Sequence, residues 1–226
     1  MTKWQSLPTS LKIDPVRPFY EALAKKRCSL FFKRCFDIFF SLILILLLSP
    51  VMLFLAVWIK ADSRGPVFFR SERITQYGRP FKIFKFRTMV SGADKIGAAV
   101  TVANDSRITR VGAKIRHSRL DEIPQLFNVL LGDMSFVGTR PEAPKYVEKY
   151  TDEMKATLLM RAGITSTASI AYKDEDRVMK ELISNGTEVD DAYINHVLPD
   201  KMRYNLEYIK NFTFLGDIKI CFKTIF

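Results

Sequence analysis

Residues 38–59, IFFSLILILLLSPVMLFLAVWI, contain no charged side chain, and this run constrains the chain more than any other feature. A helix needs about 20 such residues to cross a hydrocarbon core. A cleaved leader describes the run poorly, because it begins deep in the chain and no small-x-small site follows. A buried helix of a soluble domain would be shorter and more patterned. Membrane insertion is the expectation.

The middle and the flanks of the run bear on whether it crosses. Ser49-Pro50 sits near its centre, and proline there removes a backbone hydrogen bond and clashes with the preceding turn. Spanning helices tolerate such a kink, so a bent single span is one reading. Lys25, Lys26, Arg27, Lys33 and Arg34 precede the run, and Lys60, Arg64, Arg70 and Arg73 follow it. A single crossing should have one basic and one poorer flank. Two basic flanks predict a re-entrant helix–break–helix that enters and leaves by the cytoplasmic face.

The 226 residues carry a formal net charge of +11, which calls for an anionic partner: nucleic acid, anionic lipid or a phosphorylated substrate. The apolar run tilts that choice toward a membrane surface. Cys28, Cys35 and Cys221 form no CxxC pair, so neither a disulfide framework nor, with only His117 and His196 in addition, a Cys/His zinc site is expected.

Residues 1–30 have scattered prolines and no sustained period, and read as an extension with a short basic helix around residues 21–27 lying on headgroups. Residues 67–70 and 80–88 read as strands joined through Tyr77-Gly78-Arg79, with Phe84, Phe86 and Thr88 on one face of the second and Ile83, Lys85 and Arg87 on the other. Such a ribbon is marginal alone and must pack on helices or lipid. Residues 92–106 read as loop and 107–116 as partly helical. The tail, residues 200–226, mixes lysines with large apolar residues, and reads equally as a core helix or an interfacial amphipathic one.

The most informative stretch is residues 118–141, SRLDEIPQLFNVLLGDMSFVGTRP. Ile123, Leu126, Phe127, Val129, Leu130 and Leu131 give a helical apolar face, Gly132 supplies its stop and Pro124 suits its first turn. Asp121 and Glu122 fall at its N-terminus, where helix N–H groups favour negative charge. A helix cap is the plain reading of Asp121. Arg107, Arg110, Arg116, Arg119, Arg140 and Arg161 crowd the same part of the sequence, a density suited to a diphosphate, although surface charge accounts for several of them.

In order, KRCFDIFFSLILILLLSP, FKIFKFRTM, RLDEIPQLFNVLLGDMSFVGTRP and RAGIT resemble the bacterial sugar transferase family, the small monotopic phosphoglycosyl transferases that start surface polysaccharide or glycoprotein glycan assembly. The resemblance runs from about Lys33 to the C-terminus. It implies a membrane helix broken at Ser49-Pro50, Asp121 as nucleophile and Glu122 as ligand of Mg²⁺. It further implies transfer of a sugar phosphate from a UDP-sugar to undecaprenyl phosphate, releasing UMP through an aspartyl-phosphosugar intermediate. Arg87, Arg116, Arg119, Arg140 and Arg161 become the expected ligands of substrate phosphates. Two departures stand out. Gly138-Thr139-Arg140-Pro141 replaces GPRP, and Gly163-Ile164-Thr165-Ser166 replaces GITG, the latter bearing on specificity.

Together these readings give a mixed, mainly α fold with a small β-hairpin and interfacial amphipathic helices. Its parts are a variable extension over residues 1–32, a re-entrant membrane helix over 33–60 and a cytosolic catalytic domain over 61–226. The expected place is the cytoplasmic face of a bacterial inner membrane, with lipid as a partner, a homodimer compatible and no nucleic acid. Two rival readings are a conventional glycosyltransferase using Asp174-Glu175-Asp176 as a metal-binding motif, and a non-catalytic basic module whose phenylalanines near Lys82, Lys85 and Arg87 stack on bases.

Overall fold

A computed structural model describes residues 1–93, 105–172 and 175–225, and the side chains of all of these but 175, 176 and 225. Its longest element is α2, Arg27–Asp62, which follows the short α1, Arg17–Ala24. The expected break at Pro50 does not interrupt α2, whose helix continues through it. The reason is local. Pro50 has no N–H for the carbonyl of Leu46, one turn back, and the Ser49 hydroxyl donates to that carbonyl instead, at 2.8 Å. Ser-Pro therefore satisfies the polar group that proline alone would orphan in an apolar medium.

No residue between Ser41 and Leu55 is buried, and Leu46, Leu47, Leu53 and Phe54 are 62–69% exposed. This is the one helix among the described residues long and apolar enough to cross a membrane, and almost none of its apolar window is buried inside the protein. A core helix would show the opposite.

The folded domain grips α2 at both ends. Near its start, Lys33 donates to the Val137 carbonyl at 2.7 Å and pairs with Asp217, itself bonded by the Tyr208 hydroxyl. Arg34 donates to the carbonyls of Val129 and Leu130, at 2.7 and 2.9 Å. Asp37 accepts from the Ser135 hydroxyl and the Phe136 N–H, at 3.0 and 3.1 Å. Near its end, Leu55 and Ile59 are buried with Phe86, Val111 and Ile115, and Asp62 accepts from the Val111 N–H at 3.1 Å.

Two small sheets carry the rest. β1, Phe68–Ile74, and β2, Pro80–Phe86, form the expected hairpin, antiparallel with Arg70 opposite Phe84. Its turn places Tyr77 in the left-handed region at φ 62°. Then come α3, Arg110–His117, α4, Gln125–Leu131, and β3, Met134–Val137. β3 pairs in parallel with β4, Ala162–Thr165, a sheet that no pattern in the sequence announces. Gly138 and Gly163 meet there: a Cβ on Gly163 would lie 2.2 Å from the Gly138 nitrogen, so both positions need glycine for contact rather than for torsion. The crossover holds α5, Pro144–Val147, and beyond β4 follow α6, Thr167–Ala171, α7, Glu175–Ser184, α8, Val189–Ala192, α9, Leu198–Asn211, and α10, Phe214–Ile225.

Residues 1–24 do not lie apart as an extension. Leu7, Val16, Tyr20 and Leu23 are buried in one cluster with Val137, Leu159, Met160, Tyr208, Ile209 and Phe212. The helix expected on headgroups around residues 21–27 is α1, whose Tyr20 and Leu23 face that core. The tail divides between its two readings: Tyr208, Ile209 and Phe212 are buried, while Leu215 and Phe222 on α10 are 70% and 60% exposed.

The Lys33–Asp217 pair makes a direct prediction, since truncating one partner of a buried pair leaves the other charge uncompensated. Lys33→Met is expected to lower unfolding stability by about 3–5 kcal/mol in denaturant titrations, and Lys33→Met with Asp217→Leu to recover most of that loss. Equal instability of the single and double variants would refute it.

Candidate active site

Arg119 adopts φ 54°, a left-handed conformation uncommon for a non-glycine residue, and so reverses the chain between α3 and a single 3-10 turn, Leu120–Glu122. That turn leads through Pro124, the N-cap position of α4, so Asp121 and Glu122 precede α4 rather than occupy its first turn. The capping reading of Asp121 fails, since neither the turn nor α4 has a side-chain cap hydrogen bond.

α4 is fixed against the hairpin by Asn128, which is fully buried. Its side-chain oxygen accepts from the Phe84 N–H at 2.8 Å, and its amide nitrogen donates to the Lys82 carbonyl at 3.1 Å. These backbone groups lie on the edge of β2 that faces away from β1, so the Asn128 amide stands in for a third strand. Phe81 and Ile83 on one face of β2 then pack with Val129, Met134 and Ala162. Lys85 is next on that face and reaches the 3-10 turn, where its ammonium donates to Glu122 Oε1 at 2.7 Å. Arg140 donates to the same oxygen at 3.0 Å.

The two neighbouring carboxylates therefore differ in character. Burial would raise the Glu122 carboxyl, but Arg140 and Lys85 outweigh it and hold the group well below the usual range. Burial raises Asp121 above its ordinary 3.8; Lys85 opposes the rise, the Glu122 charge adds to it and Arg116 opposes it again. Burial lowers Lys85, and Glu122 restores part of its basicity. Glu122 is thus the fixed anion of the pair, and Asp121 the more basic carboxylate, without a cation bonded to it among the described residues.

Of the five arginines expected on phosphates, Arg140 meets the pair directly and Arg116 acts on Asp121 through its charge. Arg119 is exposed beside the turn. Arg87 and Arg161 are turned to other work. Arg87, 4% exposed, donates to the carbonyls of Ser63 and Arg64 at 2.7 and 2.8 Å, tying the end of β2 to the exit of α2. Arg161 donates to the Gly132 carbonyl at 2.9 Å. Both donate to main-chain carbonyls, Arg161 through Nε alone, and neither bonds Asp121 or Glu122 among the described residues. Lys85 and Asn128 were absent from the expected site. The one local signal for Lys85 was its place on the Ile83 face of β2.

No group of three or more His, Cys, Asp or Glu side chains placed to hold a metal occurs among the described residues. The pair still fits Mg²⁺, which keeps several waters and takes one or two carboxylates plus substrate phosphates. Both cationic bonds go to Glu122 Oε1, and Oε2 accepts none among the described residues. The rival motif Asp174-Glu175-Asp176 lies outside the described residues and side chains.

Carbon-13 NMR of the side-chain carboxyls is expected to show Asp121 titrating above 3.8 and Glu122 below 4.5. In Lys85→Met both move upward, because Lys85 lowers both. Any process that needs Asp121 ionised is then lost as the pH falls through that raised value. A downward shift of Asp121 on losing Lys85 would contradict the assignment.

The sequence profile of the family described as "Bacterial sugar transferase" matches residues 28–226. A UDP-N-acetylgalactosamine-undecaprenyl-phosphate N-acetylgalactosaminephosphotransferase of Aeromonas hydrophila is 39% identical over 198 residues, covering 86% of this chain and 43% of that protein. A UDP-glucose:undecaprenyl-phosphate glucose-1-phosphate transferase of Klebsiella pneumoniae is 34% identical over 228 residues, covering 98% of this chain and 45% of that protein. The chain thus spans less than half the length of these two relatives. The "Exopolysaccharide production protein PSS" of Rhizobium leguminosarum bv. phaseoli is 38% identical over 202 residues, covering 85% of this chain and 92% of that protein. The chain belongs to the bacterial sugar transferase family.

Proposed function

We propose that this protein transfers a sugar 1-phosphate from a UDP-sugar to undecaprenyl phosphate at the cytoplasmic face of a bacterial membrane, as a first step of surface glycan assembly. The observation that carries the reading is the asymmetry of the carboxylate pair: Glu122 held anionic under Lys85 and Arg140, with the more basic Asp121 beside it. The names of the relatives support the substrate classes and differ in the sugar, so the sugar is left open.

In the proposed reaction, Asp121 attacks the phosphorus that bears the sugar. The Oδ–P bond forms as the P–O bond to the nucleotide phosphate breaks, and that electron pair leaves on UMP. An oxygen of undecaprenyl phosphate then attacks the same phosphorus, the P–Oδ bond breaks, and the Asp121 carboxylate is restored. Raising the basicity of Asp121 raises its nucleophilicity. Arg140, Lys85 and Arg116 screen the repulsion between this carboxylate and an incoming diphosphate, and positioning with neutralisation is most of what phosphoryl transfer requires. Glu122 would hold Mg²⁺ through Oε2, and the ion supplies further neutralisation at the diphosphate.

The same proposal places α2 in the membrane as a re-entrant element. One folded domain holds Lys33, Arg34 and Asp37 at its start and Leu55, Ile59 and Asp62 near its end. Attachment of both ends to one domain favours one side of the bilayer, and Pro50, which cannot bond the Leu46 carbonyl, is where the continuous helix would bend to return. The exposed apolar middle then dips into lipid and brings the site to the headgroup level, where a soluble donor and a lipid acceptor can meet.

Two experiments test these readings. Purified protein with Mg²⁺, undecaprenyl phosphate and a panel of UDP-sugars is expected to release UMP, and Asp121→Asn or Glu122→Gln to abolish it while membrane association persists. Release of UDP in place of UMP would sink the reaction. For topology, Lys25→Cys and Lys60→Cys in a cysteine-free background should both react with an impermeant maleimide only from the cytoplasmic side. Labelling of either from the opposite side would overturn the re-entrant placement.

A further inference from the structure

Arg73 lies on the inner face of the hairpin, the face of Lys85: it stands opposite Phe81, as Ser71 stands opposite Ile83 and Phe69 opposite Lys85. Beside it runs the segment that carries Arg140, because the Ile74 N–H donates to the Glu142 carbonyl at 3.0 Å. Arg140 is a common neighbour, bonded to Glu122 on one side and close enough to Arg73 on the other to repel its charge. Glu142 lies close to Arg73 without forming an ion pair with it among the described residues; its carboxylate accepts from the Tyr193 hydroxyl at 2.6 Å and has Lys201 at 3.9 Å.

The Arg73 guanidinium is thus half-buried, with a single hydrogen bond among the described residues, to the Glu72 carbonyl at the long distance of 3.5 Å. Burial lowers its basicity, Glu142 restores part of it and Arg140 lowers it further. A half-buried guanidinium whose neighbouring carboxylate is already bonded elsewhere, and which feels the repulsion of a second guanidinium, is a place where a further anion is stabilised.

We propose that Arg73 binds substrate phosphate and forms, with Arg140, a two-guanidinium clamp for the donor's diphosphate. The inference rests on the transferase reading above. Arg140, beside Asp121 and Glu122, takes the phosphate under attack, and Arg73, beyond it, takes the phosphate that leaves with the nucleotide. Guanidinium forks match phosphate oxygens in two-point contacts, which suits arginine at both positions. The chemistry shared with the acceptor is a phosphate oxygen, so the test must separate donor from lipid.

Arg73→Met, Arg73→Lys and, as control on the opposite face of the same strand, Arg70→Met are compared in the full chain in nanodiscs. For Arg73→Met, the KM for UDP-sugar and the inhibition constant of UMP are expected to rise together by about tenfold to a hundredfold. The KM for undecaprenyl phosphate should stay unchanged. Arg73→Lys should recover part of the loss, and Arg70→Met should match wild type. Donor KM and UMP inhibition both unshifted in Arg73→Met, in an otherwise active enzyme, overturn the clamp and leave the transferase reading standing. A rise confined to the acceptor KM also overturns it, assigning Arg73 to the lipid phosphate. Wild-type protein that neither binds UMP nor releases it from any UDP-sugar removes the transferase reading and the clamp together.

Discussion

Arg34 connects the apolar helix to the chemistry. Its guanidinium takes the carbonyls of Val129 and Leu130 in the last turn of α4, Val129 also accepting from the capping Gly132 N–H. α4 in turn carries Asn128 and follows directly on the turn of Asp121 and Glu122. With Lys33 on the Val137 carbonyl and Asp37 on the Phe136 N–H, three side chains within five residues of α2 stitch it to α4 and β3. The seating of α2 against α4 and β3 therefore sets the position of the carboxylates. Cations at the C-terminal end of a helix also suit its dipole, so the stitch is favourable in charge as well as geometry.

A second constraint is the scarcity of water around the charged groups. Glu122, its two cations and Asp121 are largely shielded, so each charge acts strongly on the next. Two adjacent carboxylates in such a place would ordinarily repel and one would take a proton. Here the two bonded cations both fall on Glu122, which separates the pair into a fixed anion and a more basic neighbour. The division of labour follows from where Lys85 and Arg140 point, because the two acids are consecutive in the chain and share their local backbone.

Much of this was legible in the residue order. The apolar run, the basic flanks, the hairpin with its alternating faces and the amphipathic α4 follow from local periodicity and from Gly and Pro, whereas the separate 3-10 turn that sets the acidic pair ahead of α4 does not. The partners inside the site did not follow. Lys85 meets Glu122 across 37 residues and Arg34 meets Val129 across 95, and no local pattern encodes such pairs. The arginines show the same limit: sequence density could not separate Arg140, which reaches Glu122, from Arg87 and Arg161, which donate to main-chain carbonyls elsewhere. The parallel pairing of β3 with β4 was invisible for a similar reason, since strands of four residues give too short a period to read.

By itself, the sequence determined that the chain carries an uncharged apolar run of membrane-crossing length, and that an acidic pair stands at the N-terminal end of an amphipathic helix. Hydrophobic length and helix punctuation are local properties, and local properties survive in the residue order. Tertiary structure alone decided that both ends of α2 belong to one domain, that residues 1–24 join its core, and which cation faces which carboxylate. Those outcomes depend on desolvation and on contacts between distant segments, which exist only once the chain has packed.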